Sequence, residues 1–178
     1  MIKIAIASAL TLAAFSASAQ MYGEIGVTSV KYEETVFGYN AETSPTAIRG
    51  VFGYEINPNF AVEAMAAFGM SDDNVQVRGY TVPGVKFKVD NVFGIYAKPK
   101  VKFTPELEGF VRAGFAQSKG TASLNGQSSS ASESGFSYGL GMSYALNPKT
   151  SLNVDYMSYL DKNNSTATGF TFGVGYKF

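Results

Sequence analysis

The chain has 178 residues, 46% of them hydrophobic and 16% charged, with 14 basic residues against 14 acidic ones. Balanced charge provides no field to draw in nucleic acid, and the lack of any histidine or cysteine removes disulfide staples and the side chain best suited to proton transfer near neutrality. After the first 20 residues no apolar run is long enough for a spanning helix, so any crossing of a membrane would have to be made by strands.

The first element, "MIKIAIASALTLAAFSASAQ", joins an early Lys3 to an apolar stretch from Ile4 to Phe15 and then to small residues, with Ala17 and Ala19 in an A-x-A arrangement. This predicts a secretory signal peptide over residues 1–19, cleaved after Ala19, and a single mature domain over 20–178. The apolar stretch falls short of the ~20 residues of a membrane helix. Loss of Lys3 leaves 13 basic residues (14 − 1) against 14 acidic ones.

Eight strand windows follow in chain order: Tyr22 to Tyr32, Thr46 to Ile56, Phe60 to Met70, Val89 to Phe103, Leu107 to Ser118, Gly135 to Leu146, Thr150 to Leu160 and Thr168 to Phe178. Tight turns are marked by "YEINPNFAVEA" around Pro58, "VKFTPELEGFVRAG" around Pro105 and "YALNPKTSLNVDY" around Pro148, where proline presets the turn backbone. Between them lie longer polar connections: Glu34 to Pro45, Ser71 to Phe87, Ser118 to Ser134 with its "QSSSASES" tract, and Asp161 to Thr166. Short and long connections alternate, which places all short turns at one end of an antiparallel sheet and all long loops at the other. Most windows match the ~9–11 residues of a tilted membrane-crossing strand better than the ~5–6 of a soluble one.

Within each window residues alternate between two faces. One face carries Ile25, Phe52, Phe68, Phe93, Phe115, Phe136, Leu140, Tyr156 and Leu160, almost without charge. The other carries Glu24, Arg49, Glu55, Glu63, Asp90, Lys98, Lys100, Lys102, Glu108, Arg112, Asp155 and Lys177, both signs in equal number, interleaved with Gly and Ala. A secreted soluble barrel with its apolar face inward would show the same alternation. Three features favour the inverted arrangement, apolar side outward: glycine is concentrated on the polar face, where it relieves crowding in a narrow lumen; Tyr and Phe cluster near both strand ends; and a closed eight-stranded interior has little room for large aromatics.

The last window, "GFTFGVGYKF", sets Phe170, Phe172, Val174, Tyr176 and Phe178 on one parity and finishes on an aromatic. With the leader, the eight alternating strands and the turns, this pattern resembles the small outer-membrane β-barrel family of the outer membrane protein A membrane domain, the X protein and the Opa-type surface proteins. The resemblance implies an all-β transmembrane eight-stranded antiparallel up-and-down β-barrel in the Gram-negative outer membrane, with short turns in the periplasm and long loops outside. It also implies partners: outer-membrane lipid and lipopolysaccharide, and, during biogenesis, periplasmic chaperones and the barrel-assembly machinery, which would read Phe172, Val174, Tyr176 and Phe178 as a C-terminal signal. No peptidoglycan-binding domain is expected after Phe178.

No catalytic group, cofactor or metal site is expected. A carboxylate pair such as Glu63 and Asp155 would more readily neutralise Arg49, Arg112 and the lysine ladder than do acid–base work, and Asp72 and Asp73 lack calcium-loop spacing. Two roles remain open. One is a structural, adhesin-like scaffold with a salt-bridged lumen whose loops meet a host surface or another envelope protein; the alternative is a porin-like channel for ions or small solutes. Arg112 is expected as the hub of the lumen network, with Glu63, Asp155 and Glu108 in reach, and Lys119 with the serine tract as an exposed, protease-sensitive loop.

Overall fold

A computed structural model describes residues 20–36, 39–77, 80–124, 127–162 and 165–178 of the chain; the leader expected over 1–19 lies outside them. The described residues form ten strands and no helix: β1 (Met21–Val36), β2 (Tyr39–Thr43), β3 (Thr46–Asn57), β4 (Phe60–Gly69), β5 (Asp72–Val77), β6 (Tyr80–Lys102), β7 (Leu107–Leu124), β8 (Gln127–Ala145), β9 (Thr150–Lys162) and β10 (Ser165–Lys177). All ladders are antiparallel, and the last strand returns to the first through a register running from Tyr22–Lys177 to Glu34–Ser165, which closes the sheet into a barrel.

The barrel has eight staves, because two are interrupted. Strands β2 and β3 both pair with β1, and β4 and β5 both pair with β6, so each couple is one line of chain with a break, at Ser44–Pro45 and at Met70–Ser71. Pro45 has no amide hydrogen to give to a ladder and instead accepts one from Val30 at 2.9 Å. At the other break the amide of Met70 donates to Thr46 O at 2.8 Å.

The short turns fall where proline set them. At each, a side chain holds the backbone: Asn57 Oδ1 accepts from the Asn59 amide at 2.9 Å, Thr104 Oγ1 from Leu107 at 3.0 Å, and Asn147 Oδ1 from Lys149 and Thr150 at 2.9 Å. The long connections, in contrast, are mostly not loops. The β7–β8 ladder continues to Leu124–Gln127, through the serine tract, and β6 begins at Tyr80 rather than Val89. These segments carry polar residues on both faces, so they lack the parity that marks a strand buried on one side. Lys119 therefore sits inside a strand, opposite Asn91 on one side and Ser132 on the other. A protease needs an unpaired, extended segment, so Lys119 is expected to survive trypsin on the folded barrel; efficient cleavage there, read by mass spectrometry, would contradict this pairing.

The apolar parity faces outward. Ile95, Phe115 and Leu140 are 74%, 71% and 66% exposed, and Phe52, Phe93, Phe136, Tyr156, Phe170 and Phe172 stand beside them. So broad an aromatic exterior is costly in water and natural in lipid. Aromatic pairs gather toward the two ends of this band, Phe115–Phe136 and Phe68–Phe93 at one end and Tyr176–Phe178 at the other.

Two expectations about the faces need correction. Leu160 is buried inside the barrel, because the β9–β10 register shifts between Ala167 and Thr168 and leaves Tyr159 without a ladder partner, reversing parity beyond it. And the interior does admit large rings: Tyr22, Tyr96, Phe110 and Tyr159 are all buried within it. Facing glycines make the room. A Cβ on Gly53 would fall within the Tyr22 ring, and one on Gly141 would meet both the Phe110 ring and Asp155.

Candidate functional site

Halfway along the barrel, inward positions of six staves bring six charged side chains into one cluster: Glu24 on β1, Arg49 on β3, Glu63 on β4, Lys98 on β6, Arg112 on β7 and Asp155 on β9. Arg112 is at the centre and 1% exposed. Its Nε donates to Glu63 Oε2 at 2.5 Å, its Nη1 to Asp155 Oδ2 at 2.9 Å, and its Nη2 to Glu24 Oε2 at 2.7 Å and Glu63 Oε1 at 3.1 Å. Arg49 grips both oxygens of Asp155, with Nη1 at 2.7 Å from Oδ1, and donates to the Tyr159 hydroxyl at 3.1 Å. The Lys98 ammonium lies 3.0 Å from both Glu24 and Glu63.

Rings complete the packing. Tyr22 donates its hydroxyl to Glu63 at 2.5 Å, and the Phe110 ring lies beneath both cations, 4.3 Å from the Lys98 ammonium and 4.6 Å from the Arg112 guanidinium. Three cations therefore meet three carboxylates, each with more than one partner, as charges held away from water must. Toward the turn end a second group repeats this on a smaller scale: Lys100 bridges Glu55 at 2.5 Å and Glu108 at 3.3 Å, and Lys177 reaches Glu55 at 3.1 Å.

Of the twelve inward residues named from sequence, ten thus fall into these two groups; Lys102, exposed at the turn end, does not, and neither does Asp90. It lies where the β6–β7 register shifts between Val89 and Asn91, and it accepts from Thr121 Oγ1 at 2.7 Å, well along the barrel from Arg112. Glu108 is also not a partner of Arg112. It pairs with Lys100, since its position opposite Lys102 is near the turn end of the ladder. Reading the sequence missed Tyr22, Phe110 and Tyr159; the available signal was an aromatic on the glycine-rich parity.

The cluster has little capacity for acid–base chemistry. Every oxygen of Glu63 and Asp155 already accepts from a guanidinium, ammonium or phenol donor. In the outer part of the barrel, Asp72 pairs with Lys86 at 2.9 Å, while Asp73 accepts from the amides of Ser44 and Asn74. Among the described residues no group of three or more ligating side chains gathers. What the central cluster does physically is fill the lumen.

A closed antiparallel barrel with this exterior is matched over residues 3–178 by the profile of the family described as "Outer membrane protein beta-barrel domain". The chain belongs to that family. Its place is the Gram-negative outer membrane, and its apolar exterior is the lipid-facing surface. No curated protein matches it in sequence. Among solved structures, this outer-membrane barrel is similar to Neisserial surface protein A, with a TM-score of 0.69 and 19% identity over 91% of this chain and 100% of that one. It is similar also to Ail, the attachment invasion locus protein of Yersinia pestis, solved in complex with the heparin analogue sucrose octasulfate, with a TM-score of 0.66 and 19% identity over 91% and 100% of the two chains. The N-terminal β-barrel domain of Pseudomonas aeruginosa OprF follows at a TM-score of 0.58 and 13% identity over 87% of this chain and 97% of that domain. At such identities the likeness is one of fold.

Proposed function

We propose that the protein is a non-enzymatic, non-conducting surface-interaction barrel: a scaffold that crosses the outer membrane, is closed inside by the Arg112 cluster, and presents its long ribbons outside the cell. The single observation that supports this is the neutral six-charge cluster across the lumen, in which every charged side chain is held by at least two bonds. None of the six lines the cavities on either side of it.

In this reading the short turns face the periplasm and the paired extensions of β1–β2, β5–β6 and β7–β8 rise outward. Residues 1–19 serve as the cleaved leader. Phe172, Val174, Tyr176 and Phe178, all on the lipid-facing parity, form the signal presented to the assembly machinery. The partner is a host-surface molecule, lipopolysaccharide or another envelope protein. Charge narrows the choice: among the described side chains the outer ribbons carry Lys31, Lys86, Lys88 and Lys119 against Glu33, Glu34, Glu42, Asp72, Asp73 and Glu133. Such a surface disfavours strongly anionic glycans of the kind seen bound to Ail.

The reading is tested by shortening one ribbon. A variant in which residues 120–131 of the β7–β8 ribbon are replaced by a two-residue Asn-Gly turn keeps the barrel staves intact. Cells displaying it are expected to lose attachment to host-cell or envelope preparations that the parent chain binds. Attachment equal to the parent's by this variant, and by variants with the β1–β2 and β5–β6 ribbons shortened in the same way, would end the surface-interaction reading.

A further inference from the structure

Beyond the charged cluster, toward the ribbon end, the interior changes character. Val30, Val89, Val92, Leu160 and Ala167 point inward and are buried, with the stacked rings of Tyr32 and Phe87, 4.7 Å apart, above them. They surround a narrow cavity of about 100 Å³, which shares Tyr32, Phe87, Ala131 and Leu160 with a wider vestibule of about 500 Å³. The interior of an outer-membrane barrel is ordinarily polar. A chamber whose lining is apolar apart from Thr28, Ser118, Lys119 and Glu133 is instead the signature of a site for an apolar ligand.

The wall beside this chamber is also incomplete. The β8–β9 ladder ends at Tyr138–Ser158, sealed by a hydrogen bond from Ser137 Oγ to Ser158 O at 2.7 Å. Beyond it β8 stays paired only with β7 and β9 only with β10, and among the described residues no ladder joins the two. Side chains close the divergence there, Leu160 foremost: its Cδ1 lies 3.9 Å from where a Cβ on Gly135 would stand. On the outside, the divergence begins at the aromatic cluster of Phe115, Phe136 and Tyr138, the ring type that marks the edge of the hydrocarbon layer.

We infer that this chamber takes one acyl chain of an outer-leaflet lipid, which enters between β8 and β9 past Leu160 and lies against Val30, Phe87, Val92 and Ala167. The geometry favours an aliphatic chain because the cavity is narrow, mostly apolar and bordered by Leu160, the side chain that closes the unpaired stretch of wall between β8 and β9. The opening is the part of the wall that lacks backbone hydrogen bonds, so it can part without breaking a ladder.

The chain contains no tryptophan, so Phe87→Trp supplies a single fluorescent reporter inside the chamber, and Phe93→Trp, 48% exposed on the outer face, gives the reference for direct lipid contact. Both are refolded into vesicles of phosphatidylcholine, unlabelled or brominated at mid-chain, with folding confirmed by altered migration of unboiled samples. Brominated lipid is expected to quench Phe87→Trp as well as Phe93→Trp. Adding Ala167→Phe, which fills the chamber, is expected to remove the first quenching and leave the second. Ala67→Leu serves the same purpose should the larger substitution prevent folding. Phe87→Trp emission that is indifferent to brominated lipid, quenching that persists in the filled variants, or quenching only by a soluble ω-brominated fatty acid added from outside would each overturn the inference.

Discussion

Replacing Arg112 by alanine is expected to destabilise the folded barrel by about 3–5 kcal/mol, as removal of one partner from a buried ionic group does. The reason lies in what stays behind. Glu24, Glu63 and Asp155 would keep only Lys98 and Arg49 as neutralising partners, and Glu63 would lose the guanidinium that binds both its oxygens. Water entering a narrow lumen restores only part of that. Arg112→Lys keeps the charge but cannot reproduce three separate donor directions, so it is expected to fall between the parent and the alanine variant. Urea unfolding in lipid vesicles, followed by the loss of the unboiled-gel shift, measures both; an unchanged midpoint for Arg112→Ala would contradict the placement of Arg112 at the hub.

The second large effect is expected on the opposite side of the same strand layer. Leu140 is 66% exposed, lies between Tyr138 and Tyr144 on β8, and neighbours Gly139, the residue opposite Arg112. An arginine there would face hydrocarbon near the middle of the membrane, at a cost of about 2–4 kcal/mol. The same substitution on a water-facing strand would change stability by no more than about 0.5 kcal/mol. The two environments therefore give different answers to one unfolding titration in vesicles. A Leu140→Arg variant as stable as its parent would mean that the aromatic face does not meet lipid.

Much of this architecture was legible in the sequence because one face of each stave is uniformly apolar and side-chain direction has period two. That parity alone placed Glu24, Arg49, Glu63, Lys98, Arg112 and Asp155 on the same inner surface, and strand order then brought them together. The failures have equally local causes. Asp90 and Leu160 were misplaced because each sits beside a register shift, and one extra residue turns every later side chain to the other face. The ribbons escaped notice because "QSSSASES" gains its order from ladder hydrogen bonds rather than from a buried face, and backbone pairing leaves no mark in composition. The inward rings of Tyr22 and Phe110 were hidden for a different reason: the space that admits them comes from Gly53 and Gly141 on other strands, which only register brings opposite. The choice of Lys100 rather than Arg112 as the partner of Glu108 also depends on register, to within about one strand position.

The cluster also links fold to role. Its cations and carboxylates are balanced, so it adds no net charge to the lumen, and the proposed closed lumen rests on such side chains filling a small barrel. Rigidity at the centre lets the ribbons project from a fixed base, as binding segments do when carried on a stable scaffold. The apolar chamber lies on the ribbon side of this floor, beyond the buried side chains of Arg49, Tyr96 and Tyr159, which bond to Tyr159, Ser137 and Arg49 respectively.

Single-channel recording across a planar lipid bilayer tests the closed lumen most directly. A chain of residues 20–178 is refolded, its folding confirmed by the shift between unboiled and boiled samples, and the protein added at rising voltage. A folded barrel that passes no steady unit current is the predicted result. Reproducible current steps of one size from the parent chain, with Arg112, Glu63 and Asp155 all intact, would contradict it.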